Sequence, residues 1–346
     1  MNLDKLNEIA VAMVAPGKGI LAADESSGTI KKRFDSINVA STEDSRRDYR
    51  EMLFRTTTAM RRHISGVILF DETIRQKAAD GTPLVKLIEK TGAIPGIKVD
   101  MGAKALPGFP GETVTEGLDG LRDRLKEYYK LGARFAKWRA VIDISRRGGK
   151  AMPSWTCIKA NAHALARYAA LCQEAQIVPI VEPEVLMDGD HDADRCYEVT
   201  EWVLKTLYAE LFEANVALEG TILKPNMIVS GKLAKKQASI EEVAEKTVRC
   251  FRNAVPAAVP GIVFLSGGQS DLEATAHLNA MNASYGKQIP WKLSFSYGRA
   301  LQAAPLKAWK GKTANVKKAQ EAFAHRARMN GLAQKGKWSK AEEKKK

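Results

Sequence analysis

The chain has 346 residues, 45% of them hydrophobic, and a formal net charge of +14 at pH 7. It is long enough to bury one large core, and no apolar run approaches the roughly 20 residues that span a bilayer, so no membrane span is expected. The charge is uneven: residues 301–346 hold thirteen Lys/Arg against three Asp/Glu, which makes the basic balance a property of the C-terminal part.

The first element in chain order is a helix, since Leu3, Leu6, Ile9, Ala10, Met13 and Val14 recur at helical spacing until Pro16-Gly17 stops them. An apolar run, Gly19 to Ala23, then ends in the polar residues Asp24-Glu25-Ser26-Ser27. The same grammar recurs at His63–Phe70, Ile94–Asp100, Ala133–Arg139, Ile177–Val181, Thr221–Lys224, Gly261–Leu265 and Trp291–Ser296. Amphipathic segments separate the runs: Thr42–Arg61, Leu84–Lys90, Gly117–Leu131, Lys159–Gln176, Tyr197–Asn215, Ile240–Ala254 and Asp271–Asn282. Eight strands alternating with helices predict parallel pairing through right-handed crossovers. The expected fold class is therefore α/β: one (β/α)8 TIM barrel over residues 1–330, with an N-terminal helix and a C-terminal helical segment. Residues 331–346 read as a short, solvated, mobile basic tail. No groove-reading motif accompanies that tail, so no specific nucleic-acid partner is expected.

Barrel enzymes build their sites at the C-terminal ends of the strands. The residues expected there are Asp24, Lys98, Lys137, Arg139, Glu182, Glu184, Lys224, Ser266, Gly267 and Arg299. Lys224 ends a short apolar run and is followed by a proline. A lysine at a strand end can simply snorkel to water. Ionisable groups ending six of the eight expected strands are poorly explained by packing, however, and favour a common mouth. A desolvated lysine beside other cations is the nucleophile that forms Schiff bases with carbonyls. Three carboxylates supply the proton transfers that such chemistry needs. Three lysines and two arginines suggest a strongly anionic ligand. The Ser266-Gly267-Gly268-Gln269-Ser270 turn before a helix, with Arg299 from the eighth strand, matches the place where barrels bind phosphate.

Other residues take plainer readings. Cys157, Cys172, Cys196 and Cys250 show no paired spacing and read as reduced thiols of a cytoplasmic protein. His63, His163, His191, His277 and His325 form no metal motif. The stretch Asp188-Gly-Asp-His-Asp192 reads as a solvated loop, and Trp138 as wall packing.

Seven blocks, in order, resemble class I fructose-1,6-bisphosphate aldolases: Gly19-Ile-Leu-Ala-Ala-Asp-Glu-Ser26, Gly96-Ile-Lys-Val-Asp100, Phe135-Ala-Lys-Trp-Arg139, Val178-Pro-Ile-Val-Glu-Pro-Glu184, Glu219 to Met227, Phe264-Leu-Ser-Gly-Gly-Gln-Ser270 and Phe295-Ser-Tyr-Gly-Arg-Ala-Leu-Gln302. The resemblance implies a lyase of glycolysis and gluconeogenesis that cleaves fructose 1,6-bisphosphate reversibly through a lysine Schiff base, without cofactor or metal. It implies Lys224 as the nucleophile, Glu182 as the acid/base for carbinolamine chemistry, and Asp24 as the base on the hydroxyl that becomes the aldehyde. Glu184 and Lys137 would set the charge around the amine. Ser266, Gly267, Gly268, Tyr297, Gly298 and Arg299 would surround the ketone-side phosphate, and Lys98, Ser26, Thr29 and Arg139 the far one. A homotetramer is also implied. Another ketose phosphate as preferred substrate, and an added polyanion-binding role for the tail, remain alternatives.

One departure stands out. Eukaryotic members of that family end in a flexible tail whose terminal tyrosine moves a proton on the enamine, whereas the last tyrosine here is Tyr297. Enamine protonation is therefore expected to fall to another group or to water.

Overall fold

The computed structural model describes residues 1–147 and 150–345. Among them, eight parallel strands close a barrel: β1 (Gly19–Ala23), β2 (Ile64–Leu69), β3 (Ile94–Lys98), β4 (Phe135–Ile142), β5 (Val178–Val185), β6 (Ile222–Leu223), β7 (Gly261–Phe264) and β8 (Lys292–Tyr297). Each strand pairs with its neighbours in sequence, and β8 returns to β1 through Ile20 opposite Ser296. The expected fold class is the observed one.

The helices are α1 (Leu3–Met13), α2 (Ser27–Asp35), α3 (Glu43–Phe54), α4 (Thr57–His63), α5 (Asp71–Arg75), α6 (Leu84–Glu89), α7 (Leu121–Lys130), α8 (Trp155–Glu174), α9 (Ala193–Glu213), α10 (Ile240–Ala254), α11 (Asp271–Tyr285), α12 (Arg299–Trp309) and α13 (Val316–Gln334). The segment expected as one helix over Thr42–Arg61 is two, α3 and α4, broken at Arg55-Thr56. A run of three β-branched threonines, Thr56 to Thr58, is poor helix material, and the Thr56 hydroxyl turns back to donate to Met52 O at 3.1 Å.

Two apolar clusters hold the fold. The larger lies between barrel wall and helices and includes Trp138, packed 5.5 Å from the Tyr168 ring. The smaller fills the lower barrel: Leu6, Ala10 and Met13 of α1 meet Ile20, Ile68, Phe135, Val178, Ile180, Ile222 and Val263. Helix α1 therefore plugs the end where the strands begin. Gly96 on β3 has to lack a side chain, because a Cβ there would run into the Phe135 ring. With the lower end sealed, the upper end alone is left for polar groups.

Residues 331–345 depart from the expected solvated tail. Trp338 N–H donates to Asn279 Oδ1 at 2.9 Å, and its indole N–H to Glu343 Oε1 at 2.8 Å. Glu343 also accepts from Arg326 Nη1 at 2.6 Å and lies 2.9 Å from His325 Nε2. The lysines of this stretch hid an anchoring tryptophan and carboxylate, which fold it back on α11 and α13. Lys346 lies outside the described residues.

Candidate active site

A cavity of roughly 640 Å³ opens at the C-terminal ends of the strands. Its lining includes Asp24, Ser26, Thr29, Lys98, Lys137, Arg139, Glu182, Glu184, Lys224, Ser266, Gly267, Gly298 and Arg299. Period-two geometry explains the convergence. Residues two apart on a strand face the same side, so Lys137 and Arg139 on β4, and Glu182 and Glu184 on β5, all turn into the barrel. Register aligns them, with Lys98 opposite Lys137 and Arg139 opposite Glu182. Lys224 continues β6, its N–H donating to Val181 O at 2.9 Å.

At the floor, Lys224 Nζ lies 3.2 Å from Glu182 Oε1, both residues at least 95% buried. The other oxygen of Glu182 is 3.5 Å from Lys137 Nζ and makes no hydrogen bond among the described residues. Lys137 Nζ is 2.9 Å from Asp24 Oδ2 and 3.7 Å from Asp100 Oδ2. Burial alone would discharge this ammonium, but Asp24, Glu182 and Asp100 outweigh it and hold its pKa above the ordinary lysine value. The same balance acts on Asp24. Burial would raise its pKa, yet the charges of Lys137, Lys224 and Lys98 bring it down to about 2. Asp24 is an ionised base at neutral pH, and Lys137 a fixed positive charge.

At the rim, Arg139 Nε donates to Glu184 Oε2, and Lys98 Nζ is 3.0 Å from Asp100 Oδ1. Opposite, Arg299 Nη2 donates to Gly267 O on the turn after β7. This turn runs into α11, whose start carries a reciprocal cap: Ser270 Oγ accepts from Glu273 N–H, and Glu273 accepts from Ser270 N–H.

Two expected residues are not in the cavity. Tyr297 is fully buried on the outer side of β8, one residue past the inward Ser296, and its hydroxyl donates to Ala274 O at 2.9 Å. Alternation along the strand sends its side chain to the helix layer. Gly268 also fails to line the cavity, since its N–H points to Met187 Sδ at 2.9 Å.

The cavity holds residues that the sequence reading passed over. Asp100 is 6% exposed and sits between Lys98 and Lys137, with Arg139 N–H 3.3 Å from its Oδ2. Its place two residues after Lys98 was the available signal. Arg33 reaches the cavity from α2, four residues after Thr29 and on the same helical face, and pairs with Glu25 Oε1 at 2.5 Å. Glu25 is held in turn by Gln302 Nε2 at 2.7 Å and by the buried Arg50. In the Asp188–Asp192 loop, expected to be solvated, His191 is buried and Asp192 caps α9.

A buried amine against a carboxylate, at the mouth of a (β/α)8 barrel and ringed by cations, is the equipment of a lyase that acts on carbonyls through a Schiff base. The family model described as fructose-bisphosphate aldolase class-I matches residues 5–346. A probable fructose-bisphosphate aldolase class 1 of Xanthomonas campestris pv. campestris is 62% identical over 339 residues, covering 98% of this chain and 99% of that protein. Cytosolic fructose-bisphosphate aldolase 6 of Arabidopsis thaliana is 57% identical, over 95% and 90% of the two chains. The Plasmodium falciparum fructose-bisphosphate aldolase, solved with TRAP and a small-molecule inhibitor, superposes with a TM-score of 0.94 at 49% identity, over 97% and 96% of the chains. The chain belongs to the class-I fructose-bisphosphate aldolase family. Its reaction is the metal-independent, reversible cleavage of fructose 1,6-bisphosphate to dihydroxyacetone phosphate and glyceraldehyde 3-phosphate through a lysine Schiff base.

Proposed function

We propose that Lys224 is the Schiff-base lysine and that Glu182, Asp24, Lys137 and Glu184 complete the catalytic set. One observation carries this assignment: Lys224 Nζ lies 3.2 Å from Glu182 Oε1 on the sealed floor of the barrel. The amine adds to the substrate ketone, and the carbinolamine loses water as Glu182 donates the proton. The iminium then accepts the electrons of the breaking carbon–carbon bond, while Asp24 removes the proton from the hydroxyl on the departing carbon. Lys137 keeps Asp24 ionised until it takes that proton. Glu184 pins Arg139 and sets the charge beside Glu182. Protonation of the enamine and hydrolysis release the ketone phosphate and restore the free amine.

Ser266, Gly267, Gly298 and Arg299 receive the ketone-side phosphate in this reading, supported by the turn at the start of α11 and by Arg299, which has no acidic partner among the described residues. Ser26, Thr29, Lys98 and Arg33 face the far phosphate, supported by their place across the cavity on α2 and β3. Two anion subsites favour a bisphosphate over a monophosphate. We further read the protein as a cytoplasmic homotetramer: four buried free thiols suit a reducing compartment, and Phe212 and Trp155 stay exposed on a single chain. Lys224→Met tests the nucleophile. It should remove turnover while leaving the fold and phosphate binding intact, and residual turnover above a thousandth of wild type would refute the assignment.

A further inference from the structure

Lys232 stands on the loop that leaves β6, eight residues past Lys224, outside the cavity lining. Its Nζ donates to Asp188 Oδ1 at 2.7 Å, and its backbone N–H donates to Met187 O at 2.9 Å. The end of its side chain lies on Gly268. A Cβ added to that glycine would overlap Lys232 Cε and stand 2.6 Å from Nζ and 2.8 Å from Met187 Sδ.

The Gly267-Gly268 turn is therefore clamped on two sides. Arg299 holds the Gly267 carbonyl from the cavity, while Lys232 and Met187 press on Gly268 from behind. A thioether is a weak acceptor, so Met187 alone fixes the Gly268 N–H loosely. Lys232 supplies the contact that the sulfur lacks. Its ammonium also stands behind a turn expected to receive a dianion, where positive potential favours binding. Asp188 offsets only part of that charge, as the pair is exposed, with side-chain accessibilities of 41% and 64%.

We propose that Lys232 is a positioning residue for the ketone-side phosphate. Seated on Gly268 and tethered by Asp188, it keeps the Ser266–Gly268 turn in its receiving conformation and adds positive charge behind it. The proposal rests on the assignment of that turn to the ketone-side phosphate.

The two phosphates can be separated in the condensation direction, because dihydroxyacetone phosphate carries the ketone-side group and glyceraldehyde 3-phosphate the far one. Lys232→Ala and Lys232→Met should raise KM for dihydroxyacetone phosphate roughly fivefold, with kcat within about twofold and KM for glyceraldehyde 3-phosphate unmoved. Lys232→Arg should restore most of the loss. Gly268→Ala displaces the lysine and should reproduce its removal, so adding it to Lys232→Ala should cost little more; strict additivity would contradict the proposal. Equal rises in both KM values would mean a general loss of positive field and would overturn it, as would no change in either. Arg299→Ala is the control. If it fails to raise KM for dihydroxyacetone phosphate, the turn itself is misassigned. A normal Arg299→Ala response beside an unmoved Lys232→Ala overturns the Lys232 role alone.

Discussion

Lys137 and Asp24 form an ion pair on the barrel floor, 2.9 Å from Nζ to Oδ2, and the same ammonium faces Glu182 at 3.5 Å and Asp100 at 3.7 Å. One cation therefore holds three carboxylates together. Substituting Lys137→Met leaves them buried without it. Removing one partner of a buried ion pair costs about 3–5 kcal/mol, and loss of a preorganised charge lowers kcat by roughly a hundredfold or more. Urea unfolding and steady-state cleavage of fructose 1,6-bisphosphate check both effects. A variant with unchanged kcat would remove Lys137 from the catalytic set.

Asp24 has its pKa lowered from 3.8 to about 2, burial being outweighed by Lys137, Lys224 and Lys98. A depressed carboxylate stabilises the fold above its unfolded pKa, and that contribution is lost as pH falls through the folded value. Between about pH 4 and 2 the wild type should lose roughly 2 kcal/mol from this group. Asp24→Asn should flatten that part of the acid limb and lower kcat/KM by about 10² to 10⁴. Chemical denaturation at stepped pH, with kinetics at pH 7, reads both.

His277 supplies a second acid-sensitive group. Burial pushes its pKa from 6.5 down to about 4, against the weaker pull of Glu273 and Glu241, and its Nδ1 lies 2.6 Å from Gln269 Oε1. The unfolded chain takes the proton first, so the fold loses stability as pH falls from about 6.5 to 4, by roughly 3 kcal/mol. Above pH 7 the group contributes no slope. Melting of wild type and His277→Asn across pH 7 to 4 should show a shallower decline in the variant. Parallel curves would assign the acid sensitivity elsewhere.

Much of the site could be seen in the chain because its residues end strands, and a barrel brings strand ends together. Lys224, Glu182, Asp24, Lys98 and Arg299 each follow an apolar run, and all reach one cavity. The expected runs Ala133–Arg139 and Ile177–Val181 fall short of β4 and β5, which carry Lys137, Arg139, Glu182 and Glu184 inside a continuous ladder. In-register charges satisfy one another there, so the strands run on. Asp100 closes the expected run Ile94–Asp100 but is absent from the expected site, although two residues of alternation put it on the face of Lys98. Tyr297 was drawn in by its neighbours, yet alternation past Ser296 sends it outward. Arg33 needed α2, which a nine-residue helix with two apolar core residues scarcely advertises.

The C-terminal segment yields a further prediction. Glu343 ties Trp338 to His325 and Arg326. Deleting residues 339–346 takes Glu343 from Arg326, a 4% exposed guanidinium that keeps Thr275 and Asp271 as partners, and should lower stability by about 2 kcal/mol. Turnover and enamine proton exchange should stay nearly unchanged, because none of residues 339–345 lines the cavity. A large fall in proton exchange would place an enamine proton donor within the deleted residues.

The most direct measurement is borohydride reduction of the enzyme with dihydroxyacetone phosphate, followed by peptide mass mapping. The account predicts one covalent adduct, on Lys224, formed in step with loss of activity and unaffected by EDTA. An adduct on Lys137 or Lys98 would keep the chemistry and overturn the assignment of the nucleophile. A folded, active enzyme that gives no adduct would contradict Schiff-base catalysis at this site.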